Sequence, residues 1–91
     1  MNNQRRKELK SLQKQLELVK EMLERVRDDE EEYHDNIPDN LQDSERAMMS
    51  EEAIDTLTEI AEDLENSISE LESIIWKEVA LWMEMISMKS G

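Results

Sequence analysis

Cysteine and phenylalanine are absent from this 91-residue chain, and glycine, proline and histidine occur once each. Without cysteine there is neither a disulfide nor a thiolate metal site. The lone glycine, Gly91, excludes a glycine-rich loop of the kind that cradles phosphate. The lone histidine, His34, has no second imidazole at ligand spacing. A calcium loop would need alternating Asp or Asn and an internal glycine, which the surrounding Glu30-Glu31-Glu32-Tyr33-His34-Asp35 lacks. With so few chain breakers, a small number of long elements is expected, and the abundance of Glu, Leu and Lys makes them helices. Valine, isoleucine and threonine are scattered singly, with no period-two run, so no strand is predicted. Long apolar runs are missing too. The richest stretch, residues 74–88, is interrupted by Lys77, Glu78 and Glu84 and falls short of the ~20 residues of a membrane span. The basic start, residues 1–7, is not followed by an apolar segment, so no secretory signal is expected and a cytoplasmic location is anticipated.

What the chain does have is charge, unevenly placed. Residues 1–27 hold eight Lys/Arg against four Asp/Glu, a net of +4; residues 28–91 hold three against twenty, a net of −17. Acidity of this order argues against direct binding to nucleic acid or to an anionic membrane, since both are polyanions.

The apolar residues fall into two series. The first is Leu9, Leu12, Leu16, Val19, Leu23 and Val26, continued by Glu30 and Tyr33. Alternating spacings of three and four over three heptads are the mark of a coiled-coil seam. This predicts helix 1 within residues 1–35, with fraying expected past Asp28, where Asp28, Asp29, Glu30, Glu31 and Glu32 oppose the negative end of the macrodipole. Pro38 cannot continue a helix and drives Ile37 out of the α region, so residues 36–43 read as a loop. Asp43 or Ser44 can cap helix 2, residues 44–91. Its series is Ala47, Ser50, Ile54, Leu57, Ala61, Leu64, Ile68, Leu71 and Ile75.

One short loop between two long helices makes them antiparallel neighbours. A single register matches every layer: Val26 with Ile54, Leu23 with Leu57, Leu16 with Leu64 and Leu9 with Leu71, with Arg27 facing Glu51 and Arg6 facing Glu72. The expected fold is all-α, a single domain: an antiparallel two-helix coiled-coil hairpin with a longer second helix, oligomerising into a helical bundle. In this register helix 2 overhangs its partner from residue 76 to residue 88. Ile75, Val79, Leu81, Trp82, Met85, Ile86 and Met88 then form a candidate interface, because an apolar helix without an intrachain neighbour must be covered from outside. A second copy of the chain and a foreign protein both suit it; Trp and Met are good anchors for either.

No constellation for catalysis emerges. Paired carboxylates on an open helix face remain ordinary acids, and a Ser-His-Asp arrangement needs a pocket that so small a core cannot build. No enzyme activity and no cofactor are expected.

The stretch Asn36-Ile37-Pro38-Asp39-Asn40-Leu41-Gln42-Asp43-Ser44-Glu45-Arg46, followed by Glu51-Glu52-Ala53-Ile54-Asp55, resembles a group of small acidic coiled-coil proteins from phages, prophages and mobile elements of Gram-positive bacteria. Those proteins carry a similar Asn-Ile-Pro-acid-Asn-Leu-Gln loop between two acidic helices. The likeness covers about residues 5–75, and the apolar residues 76–88 replace the usual acidic finish. The resemblance implies no catalytic residue and no agreed activity. It implies a mobile-element origin, where small acidic proteins often act by blocking a host protein. The expected function is therefore non-enzymatic protein binding and oligomerisation, directed at a host protein in the host cytoplasm. The alternative is an anti-defence inhibitor whose acidic surface, with Asp28, Asp29, Glu30, Glu31, Glu32, Glu62 and Asp63 as candidates, mimics nucleic acid and blocks a nuclease or DNA-binding protein.

Overall fold

The computed structural model describes residues 2–89, and side chains through residue 87. Two helices account for nearly all of it: α1, Asn3–Asp35, and α2, Glu45–Lys89, with a 3-10 turn at Asp39–Leu41 between them. They fold into an antiparallel hairpin 74 × 18 × 15 Å. At ~1.5 Å per residue α1 is about 50 Å long and α2 about 68 Å. There is no strand among the described residues.

Each helix end is closed by the residue types that the sequence supplies there. The Asn2 side chain accepts the Arg5 N–H at 2.8 Å and starts α1. Ser44, rather than Asp43, caps α2, its Oγ accepting the Ala47 N–H at 3.2 Å. Between them Asn36 ends α1 by donating its N–H to the carbonyls of Glu32 and Tyr33. Leu41 then donates to the Pro38 carbonyl at 2.8 Å, and the Gln42 side-chain amide donates to the Ile37 carbonyl at 2.8 Å. Among the described residues none has a positive φ. Past Asp28, where fraying is expected, α1 continues to Asp35, and the Asn36 N–H caps its last carbonyls.

The α2 series packs as the heptad pattern predicts. Ala47, Ser50, Ala61, Ile68 and Ile75 are buried, and Ile54, Leu57, Leu64 and Leu71 are half-buried. On α1 the pattern is rotated. Leu9, Leu16 and Leu23 face inward, but Leu12, Val19 and Val26 are 48%, 45% and 54% exposed. Their expected places are taken by Arg6, Gln13, Lys20, Arg27 and His34, all half-buried.

The register moves with the rotation. Lys20 pairs with Glu65, five residues beyond the Ile60 it would face in the expected register. Lys20, Glu24 and Arg27 line one crevice with Thr58, Ala61, Glu62 and Glu65. Along the body of the hairpin the inward rows match once the helices slip by about one turn from the expected register. Arg27 lies beside Thr58, not Glu51, and its guanidinium binds the neighbouring Asp28 at 3.1 Å.

Ile37 supplies the physical reason. Assigned to the loop from the Pro38 that follows it, it is half-buried and continues the inward row of α1, lining a crevice with Ser44 and Arg46 at the start of α2. Adding that layer at the loop end shifts every layer behind it. Small residues on α2 admit the long stems of Lys20 and Arg27, which lie along the seam while their charged heads reach its edge.

Candidate functional site

The C-terminal part of α2 carries a dense group of large apolar side chains in solvent. The helix is continuous to Lys89, so the chain does not turn back at Trp76 or Lys77. The slipped register shortens the overhang that the sequence suggested, because half-buried Arg6 and half-buried Glu78 now fall at one level. Two expected interface residues consequently belong to the hairpin itself. Ile75 is only 6% exposed, in the seam, and Val79 is half-buried, lining a crevice with Lys10, Gln13 and Trp76. Leu81, Trp82, Met85 and Ile86 are exposed, Trp82 at 55%, and Trp76 and Met83 of the same stretch are exposed with them. The side chain of Met88 lies outside the described residues.

The acidic candidates do not gather on one surface. Asp28 to Glu32 are consecutive on a continuous helix, so five residues at 3.6 per turn point right around its axis. Asp28, Asp29, Glu31 and Glu32 are exposed, while Glu30 is turned half inward. Glu62 and Asp63 are exposed on α2. Among the described residues no group of three or more His, Cys, Asp and Glu could hold a metal ion.

Charge is organised instead along one flank of the seam. The Lys20 ammonium lies between Glu65 and Glu24, the latter at 3.4 Å. The hydrogen bond to Glu65 raises the Lys20 pKa above the ordinary lysine value against a smaller desolvation effect, and Glu24 adds to the rise. The Arg27 pKa is raised chiefly by its hydrogen bond to Asp28. Among the described residues the Arg6 Nε and the Ser50 hydroxyl are buried without a hydrogen-bond partner. Ser50 lines an open crevice with Glu30, Tyr33, Glu45, Arg46 and Met49 near the loop.

Fold and surface together define a two-helix antiparallel coiled-coil hairpin with an apolar helix end. No protein family, curated protein or solved structure matches the chain. No helix among the described residues is long and apolar enough to cross a membrane.

Proposed function

We propose that this chain is a non-enzymatic protein-binding hairpin, encoded by a phage or mobile element, that self-associates and engages a host protein through the end of α2. One observation carries the reading: Leu81, Trp82, Met83 and Met85 are all more than half exposed on one short length of helix. Soluble proteins rarely leave such a group uncovered, and tryptophan in particular dominates the energetics of interfaces. Light scattering on the full chain and on a Trp82→Glu variant tests it, together with affinity capture from a bacterial host lysate. The expected result is an assembly larger than a monomer and one co-purifying host protein, both lost in the variant while helicity is kept. A full chain that is monomeric at tens of micromolar and captures the same proteins as Trp82→Glu would overturn it.

The rival reading, an acidic mimic of nucleic acid, finds less support because Asp28 to Glu32 encircle α1. Binding to a basic nuclease that weakens steeply with salt, and survives Trp82→Glu, would favour that rival.

A further inference from the structure

The two long sides of the hairpin differ in kind. A coiled-coil pair has a flank on each side of its seam. One flank carries the Lys20–Glu65 pair and the charged crevice with Glu24, Arg27 and Glu62. The heptad positions place Leu12, Val19 and Val26 of α1 on the opposite flank, with Ile60, Ile74 and Leu81 of α2 beside them. All six are more than a third exposed. The crevice that joins Tyr33, next in the α1 row, to Arg46 and Met49 fixes the two rows on the same side. A seam of two helices has room for only part of the apolar surface of α1, and the remainder has turned outward.

We propose that this apolar side is an interface between two copies of the chain, with α1 of each lying along α2 of the other in a four-helix bundle. The proposal goes beyond the binding assigned to the end of α2 and does not depend on it. Size favours it. The side is about 50 Å long and 18 Å wide, or roughly 900 Å² per copy, near the ~800 Å² that each partner contributes to a stable interface. The chain exposes 7391 Å², about a third more than the roughly 5,500 Å² of a compact monomer of this mass.

Charge identifies the occupant. Through residue 27 α1 is basic, while α2 is strongly acidic. A two-fold axis along the hairpin sets each basic α1 against the partner's acidic α2 in antiparallel order. A two-fold axis across the hairpin would stack acid on acid. A partner for this side must carry a basic helix beside an acidic one in antiparallel order, and a second copy presents that pattern to itself, as isologous interfaces require.

Sedimentation with circular dichroism tests the proposal on full-length chains. The wild type is expected to be dimeric at tens of micromolar. A Val19→Glu/Val26→Glu double variant is expected to raise the dissociation constant at least 100-fold with helicity retained, while Leu18→Glu, on the side of α1 away from both neighbours, leaves it unchanged. Mixing a Val26→Cys chain with an Ile60→Cys chain under oxidation is expected to give a disulfide-linked heterodimer, a reading that stands even if the double variant loses structure. A monomeric wild type, or an unchanged constant in a folded double variant, overturns the proposal, and absence of the cross-link overturns the arrangement. A dimer dissociated by Trp82→Glu alone leaves the α2 end as the interface and removes this one. A dimer that survives Trp82→Glu but not Val19→Glu/Val26→Glu does the reverse.

Discussion

The loop end and the free end of the hairpin solve opposite problems with opposite side chains. Near the loop, α2 turns Ala47, Ser50 and Ala61 toward its neighbour, and all three are buried. Small residues let two helices approach closely, so little apolar mass is enough to close the pair. Toward the free end the residues are Trp76, Leu81, Trp82 and Met83, and they stand in solvent. Mass without a neighbour cannot stabilise a hairpin; it stabilises whatever arrives to cover it. The buried small residues therefore serve folding and the exposed bulky ones at the free end serve association, and substitutions at the two should separate these effects.

The largest expected difference comes from Ile68, buried in the seam, set against Trp82. Ile68→Ala should lower the unfolding free energy by about 2–4 kcal/mol through lost burial and the cavity left behind. Trp82→Ala should change monomer stability by less than about 0.5 kcal/mol, as exposed substitutions usually do. Chemical denaturation below the association concentration measures both. Equal losses would mean that the free end contributes to folding after all. A sharper contrast uses the same substitution twice. Ala61→Leu should overpack the close approach and cost about 1–3 kcal/mol, whereas exposed Ala80→Leu should be neutral within about 0.5 kcal/mol. Smaller again is the loop-end cap. Ser44→Ala removes the acceptor of the Ala47 N–H and should cost about 1 kcal/mol, with hydrogen exchange accelerated in the first turn of α2 and unchanged beyond residue 60.

How much of this could be read beforehand differs between the helices for a physical reason. The α2 row could be read completely, since its small residues and β-branched Ile54, Ile68 and Ile75 define one narrow stripe. On α1 the apolar stripe is wider than one partner can cover. Leu9, Leu16 and Leu23 belong to two possible seams, one completed by Leu12, Val19 and Val26 and the other by Gln13, Lys20 and Arg27. Apolar pattern favours the first. The second prevails because Ile37 serves as a layer of the seam and because Glu65 meets Lys20. Neither fact is visible in periodicity: one depends on how the chain leaves α1 before Pro38, the other on the resulting slip. The free end was legible in outline, as an apolar length outrunning its partner. Its inner limit was not, since the same slip draws Val79 into the hairpin.

The Lys20–Glu65 pair offers the finest test, because it sits between the two ends and reports the register that sets where one gives way to the other. Its energetic effect is small, as expected for an ion pair at a wet edge, so position rather than magnitude is the informative quantity. Charge reversal at Lys20 alone, Lys20→Glu, should lower the melting temperature by placing a carboxylate against Glu65 and Glu24. Adding Glu65→Lys should restore part of the loss; the same reversal at Glu59, nearer the loop on α2, should restore none. Rescue by Glu59→Lys and not by Glu65→Lys would restore the unslipped register and lengthen the free overhang again. The pH dependence has a definite sign. The folded-state pKa of Lys20 is raised above the lysine value of 10.5, so its contribution is fully present below that value and is lost as pH rises through the higher folded one. The melting difference between wild type and Lys20→Met should hold constant from pH 7 to 9 and close only in strong alkali. A difference that closes below pH 9 would mean that Lys20 is not held by Glu65, and that the helices meet in another register.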